Sequence, residues 1–174
     1  FLNKSKEHSQ QQQVLYNQLE QLNLDILSEN RAKIISNYQT QLLKQIKIQQ
    51  RAHVFLEALS QLILSPARSN IVLLVQDSNE LRSGGGFLVS VITLSFENSR
   101  LLNWQVYDVP ALDQRIYGDR IANDEIKQLL LAEKLQLRDA NWPVNFVDAG
   151  TDIAWFIEQS LSLTPDLIIG INSK

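Results

Sequence analysis

Asn70–Gln76 reads N-I-V-L-L-V-Q, five consecutive aliphatic residues between two amides. The run is too short for a buried helix and too continuous for a half-exposed strand. Its β-branched content fits a strand covered on both faces. The chain around it follows the same logic. Phe87–Phe96 reads as a second strand, with Val89, Val91 and Ile92 favouring extended backbone. Glu97-Asn98-Ser99-Arg100 reads as a hairpin turn. Leu101–Val109 returns as a third strand, in which Leu102, Trp104 and Val106 alternate with Asn103, Gln105 and Tyr107, and Pro110 ends it.

Further along, Asn123 or Asp124 caps a helix expected to run to about Leu135. Arg138–Asn145 reads as a polar loop. Asp148 is placed to cap another helix, with Ile153, Phe156, Ile157 and Leu161 on one face. Thr164-Pro165-Asp166 turns into a last strand, Leu167–Ile171. Three strands, two helices and a strand predict an α/β domain with a mixed sheet covered by helices.

Upstream of Pro66 the composition changes. Residues 1–65 hold no Gly and no Pro, and they hold 12 of the 18 Gln. They carry net charge +2, against −5 for residues 66–174. Leu15, Leu19, Leu22 and Ile26 recur at helical spacing, as do Ile35, Tyr38 and Leu42, and Leu56, Leu59 and Ile63. Gln45 and Gln49 interrupt the stripe, which favours a helical hairpin over a long coiled coil. Ser28-Glu29-Asn30 is the expected break. The expected domains are therefore a helical hairpin or coiled-coil-like segment over 1–65 and a mixed-sheet domain over 66–174, cut short at its C-terminus.

Composition excludes several classes of function. At 44% hydrophobic and 20% charged residues, the chain of 174 residues is globular in character. Net charge −3 argues against a broad nucleic-acid-binding face. The absence of cysteine removes disulfides, thiolate metal sites and a Cys nucleophile. The chain opens Phe1-Leu2 and lacks Met, so it reads as a processed or cut chain, and any signal peptide or anchor would lie upstream of Phe1. His8 and His53 both fall in the helical half, leaving no histidine for a Ser-His-Asp triad in the sheet domain.

Two segments carry candidate chemistry. Gly84-Gly85-Gly86 is neither a dinucleotide fingerprint nor a P-loop, since no Lys-Ser/Thr follows and a strand comes next. Its glycines permit positive φ and close approach of a backbone or ligand. Asp77, Glu80 and Arg82 lie on the same connection and could complete a polar pocket. Asp77 and Glu80 are weak candidates for a hard cation; no metal site is otherwise indicated. The second segment is Arg138-Asp139-Ala140-Asn141-Trp142-Pro143. Arg138 offers a fork for carboxylate or phosphate, and Trp142 offers a platform for a sugar or lipid. The structural alternative is that Arg138 pairs with a nearby acid while Trp142 fills the core, and that the glycines merely turn the chain.

These segments resemble a known family. L-L-V-Q-D-S-N-E-L-R-S-G-G-G-F (Leu73–Phe87) and L-R-D-A-N-W-P-V-N-F (Leu137–Phe146) resemble two signatures of an uncharacterised bacterial envelope family, domain of unknown function 4012. P-D-L-I-I-G-I-N (Pro165–Asn172) is similar to its third element. A more distant resemblance is to the LytR–CpsA–Psr family, which moves glycopolymers from polyprenyl-pyrophosphate carriers to the cell wall. Asp77 and Arg82-Ser83 match its first motif, whereas Pro110-Ala111-Leu112-Asp113 lacks the arginine of its Pro-Arg-Asp motif, and Gly84–Gly86 replaces an acid.

The resemblance implies a LytR–CpsA–Psr-like mixed sheet and a membrane-anchored module facing outward from a bacterial membrane. Its implied partners are an envelope glycan, a lipid-linked glycan or a protein, with no cofactor. A non-catalytic module is favoured. The alternative is a glycopolymer phosphotransferase, with Asp77, Arg82 and Arg138 around the phosphates and Mg²⁺ as its cofactor. Asp77–Gly86 and Arg138–Trp142 are expected to meet in one surface.

Overall fold

A computed structural model describes residues 2–80 and 82–173, apart from the side chains of residues 2–5 and 8. The histidine reading at position 8 therefore lies outside the described side chains. The chain divides into two compact units, residues 1–61 and 62–174.

The first unit is helical. Helices α1 (Leu2–Glu20) and α2 (Glu29–Leu64) are joined by a turn that includes a 3₁₀ segment, Leu24–Ile26. At about 1.5 Å per residue they measure about 28 and 54 Å. They run antiparallel: the Gln39 side chain donates to the Leu19 carbonyl at 2.7 Å. Residues Lys6, Ser9 and Gln10 share a cavity of about 220 Å³ with Gln49, Gln50 and His53.

The break falls earlier than the expected Ser28–Asn30. Asn23 caps the 3₁₀ segment through the Asp25 amide, and Ser28 offers its carbonyl to the amides of Arg31 and Ala32 at the start of α2. Leu22 and Ile26 thus leave the helical stripe, and Ile26 stands 80% exposed. On α2 the inward positions are Leu42 and Ile46, and Gln45 points outward instead of interrupting them.

The second unit is a four-stranded mixed sheet with helices on one face. Strands β1 (Ser69–Asp77), β2 (Phe87–Glu97), β3 (Arg100–Asp108) and β4 (Leu167–Ser173) lie in the order β3-β2-β1-β4. The first three form an antiparallel meander, and β4 pairs parallel with β1. Between them come α3 (Val109–Asp113), α4 (Asp124–Leu130) and α5 (Phe146–Leu161).

Helix boundaries depart from the sequence expectation in three places. Pro110 ends β3 but also opens α3, because a fixed φ and a missing N–H suit the first helical turn. Helix α4 stops at Leu130 rather than near Leu135, with Leu131 in the left-handed region at φ 52°. Helix α5 begins at Phe146 because the Asn145 side chain, not Asp148, caps it through the Val147 amide at 3.1 Å.

Register assigns the two faces of the sheet. Val72, Leu74, Val91, Tyr107 and Ile168 share one face and pack with Val109, Leu112, Ile126, Leu137, Ile153, Phe156 and Ile157 in a single core. Leu73, Val75, Ile92, Leu94, Trp104, Val106, Ile169 and Ile171 share the other face, and none of them joins that core.

Candidate functional site

The site lies at the end of β1, where the strand delivers two polar residues. Gln76 shares the core side with Val72 and Leu74 yet is 2% exposed. A buried amide must be satisfied, and Gln76 Nε2 donates to the Gly84 carbonyl at 3.4 Å. Asp77 opens the connection to β2. Its Oδ1 accepts from the backbone N–H and the side-chain amide of Asn79, both at 2.9 Å. That is a turn-forming role. Glu80 is exposed, while its backbone carbonyl accepts from the Phe87 amide at 3.0 Å and closes the loop. Among the described residues no three His, Cys, Asp or Glu side chains converge as a metal site.

The Arg138–Trp142 segment meets this loop. A 3₁₀ turn, Leu137–Asp139, directs Asp139 inward, where it is 6% exposed. Arg82 Nε approaches Asp139 Oδ1 at 3.3 Å, and Arg138 Nε lies 3.5 Å from Oδ2. One carboxylate thus serves two guanidinium groups. The Arg82 guanidinium also lies 5.2 Å from the centre of the Phe87 ring and 5.8 Å from the Trp142 ring, within cation–π range of both. Trp142 Nε1 donates to Glu125 Oε2 at 3.1 Å. Arg138 differs from Arg82: half of its side chain is exposed, against 19% for Arg82.

The glycines explain how the two segments come so close. Asn141 Nδ2 donates to the Gly86 carbonyl at 2.5 Å, and its Oδ1 is buried without a partner. A Cβ on Gly84 would strike the Asn141 carbonyl oxygen, and one on Gly86 would strike the Asp77 carbonyl oxygen. Gly85 has φ 130°, a conformation an L side chain resists. The close approach they permit is therefore backbone to backbone.

Every candidate residue from Asp77 to Trp142 is thus placed at one end of the sheet, in differing roles. Sequence reading did not single out Gln76, Phe87 or Glu125. Gln76 carried a usable signal, a lone amide closing an apolar strand. Glu125 carried none, because only the fold brings α4 beside Trp142.

A second hollow, of about 180 Å³, lies next to this site and includes Asp113, Arg120, Lys134 and Phe156. Asp113 Oδ1 accepts from the Leu137 amide at 2.7 Å and so steadies the 3₁₀ turn. Burial pushes the Asp113 carboxyl above its ordinary value. The hydrogen bonds from Leu137 and Arg138 and the charge of Arg138 oppose that rise without cancelling it. Arg120 Nη2 pairs with Asp152 at 2.5 Å and stacks 5.5 Å over Trp155. The chain matches no family model, no curated protein and no solved structure.

Proposed function

We propose that residues 62–174 form a LytR–CpsA–Psr-like module of the domain of unknown function 4012 type. In this reading the module is extracytoplasmic, held at a bacterial membrane by an anchor upstream of Phe1, and binds an envelope glycan, a lipid-linked glycan or a protein partner without catalysis.

The observation that carries the non-catalytic part is the sharing of Asp139 by Arg82 and Arg138. A pyrophosphate grip needs two or more free cationic forks. Here one acid offsets both, and Arg82 is further held against Phe87 and Trp142. What reaches solvent is half of the Arg138 side chain and part of Trp142. That pair suits a sugar with a single anionic group better than a transferable diphosphate.

Titrating the full-length protein with soluble wall-glycan fragments, read by tryptophan fluorescence, tests this reading. Arg138→Ala is expected to weaken binding about ten- to a hundredfold, the scale of one lost charge-assisted hydrogen bond. Mg²⁺-dependent transfer from a polyprenyl-pyrophosphate glycan would overturn it in favour of the phosphotransferase. Protease accessibility on intact cells tests the location, and recovery solely in a protected soluble fraction would refute it.

A further inference from the structure

The hollow beside Asp113 is built like a small-molecule site. Its floor is apolar, formed by Ile116, Leu135 and the Phe156 ring, and the last two are buried. Its mouth is polar and open, since Gly118, Asp119, Lys134 and Gln136 are exposed. All of these residues belong to the second unit. Two backbone hydrogen bonds fasten the walls together. The Leu135 amide donates to the Arg120 carbonyl at 2.8 Å, and the Ala122 amide donates to the Glu133 carbonyl at 3.1 Å. Neither Arg138 nor Trp142 lines this hollow.

Charge narrows the class of ligand. Each base is already matched with an acid, Arg120 with Asp152 and Lys134 with Asp119. An anion therefore meets no unspent cation, and an ionised Asp113 opposes it. An organic cation would sit beside both Arg120 and Lys134. A metal ion lacks ligands, because no three His, Cys, Asp or Glu side chains converge among the described residues. A purely apolar guest would strip water from the polar mouth without replacing its hydrogen bonds. Neutral molecules rich in hydroxyl groups remain, and hydrogen-bonding capacity for them is present. Among the described residues the Gln136 side-chain amide has no partner, and Arg120 uses only Nε and Nη2, both on Asp152 Oδ1.

We propose that this hollow binds one ring of a neutral sugar, with its hydroxyl groups on Asp113, Arg120 and Gln136 and its C–H face on the apolar floor. The volume of about 180 Å³ equals roughly six waters' share of the liquid, about what one hexose displaces. Carboxyl, guanidinium and amide groups are planar and present paired donors or acceptors, which match adjacent ring hydroxyls. The Asp113 carboxyl, raised by burial, serves in either protonation state. A carboxylate accepts from a hydroxyl, and a carboxylic acid also donates to one. The site does not depend on what the surface at Arg138 and Trp142 binds.

Amide NMR of the full chain, titrated with free glucose, galactose, mannose and N-acetylglucosamine, tests the proposal. At least one of the four is expected to shift the amides of Gly118, Arg120, Lys134 and Gln136 with a Kd of about 1 mM, the scale for so small a ligand. Gln136→Ala, at an exposed position, should keep the circular dichroism unchanged and weaken that sugar about fivefold, the scale of one neutral hydrogen bond. Glucuronate and glucosamine should bind no more tightly than the neutral sugars. No shift with any of the four would overturn the proposal, as would shifts confined to Arg138 and Trp142. Unchanged affinity in Gln136→Ala, or a charged sugar that binds more tightly, would overturn it too.

Discussion

Arg82 and Asp139 stand 57 residues apart in the chain and meet at 3.3 Å. This pair joins the β1–β2 connection to the loop before α5, and every other feature of the site is arranged around it. Asp139 is 6% exposed, so its charge depends on protein partners rather than water. Arg82 is held on two sides by aromatic rings, whereas Arg138 keeps half of its side chain in solvent. The two arginines therefore have different duties despite sharing one acid.

Substitution should separate those duties. Arg82→Ala leaves a buried carboxylate with only the longer contact to Arg138, and is expected to cost about 2–3 kcal/mol, the scale for stranding a buried polar group. Arg82→Lys should recover part of that, since charge returns while the planar stacking does not. Arg138→Ala should cost less than about 1 kcal/mol, as exposed pairs contribute little. Urea denaturation midpoints of the three variants check the order. A larger loss for Arg138→Ala than for Arg82→Ala would reverse the assignment.

The glycines allow an internal comparison. Gly84→Ala drives a methyl group into the Asn141 carbonyl, so one of the two backbones must move. A loss of more than about 2 kcal/mol is expected, comparable with overpacking a core. Gly150, within α5, has open space where a methyl group would stand, with nothing within 4 Å. Gly150→Ala should therefore stabilise by about 0.5–1 kcal/mol, the gain of alanine over glycine inside a helix. Thermal melts of the two variants should shift in opposite directions.

What could be read from the sequence, and what could not, follows from the range of the forces involved. The strands were legible because Ile71–Val75 and the alternation of Leu102, Trp104 and Val106 are local patterns. The early stop of α4 was not. Ile126, Leu129 and Leu130 stand at helical spacing, yet Leu129 and Leu130 are 69% and 39% exposed, and no glycine or proline marks the left-handed turn at Leu131. Pro110 was ambiguous, since the same ring that stops a strand can open a helix. The meeting of the two candidate loops was anticipated from their motifs. Its mechanism, a glycine backbone against the Asn141 carbonyl, depends on a tertiary contact that no local pattern encodes.

The helical unit can be tested apart from the sheet. Leu42 and Ile46 are its two buried apolar residues among those described, at 4% and 1% exposure. Two helices enclose so little that losing one of these side chains matters. Ile46→Ala is expected to cost about 2–4 kcal/mol of that unit's stability. All three tryptophans lie at or beyond position 104, outside residues 1–61. The loss should therefore appear in the helical circular dichroism at a temperature where tryptophan emission is unchanged. A simultaneous change in both signals would show that the two units do not melt separately.

Asp113 gives the chain a pH dependence of defined sign. Burial raises its carboxyl above the ordinary 3.8 despite the opposing hydrogen bonds. A folded state that holds the proton more tightly than the unfolded state is favoured by acid. As pH rises from about 3.8 through the raised folded value, the unfolded state releases its proton first, and stability falls. Above the folded value the whole cost of the buried charge remains. Asp113→Asn keeps an oxygen to accept the Leu137 amide while removing that charge. The variant should match the natural chain near pH 3 and exceed it in stability at pH 7, measured by denaturant titration at each pH. A gap that is widest at acid pH would mean that Asp113 is stabilised as the carboxylate, and that the hydrogen bonds outweigh burial.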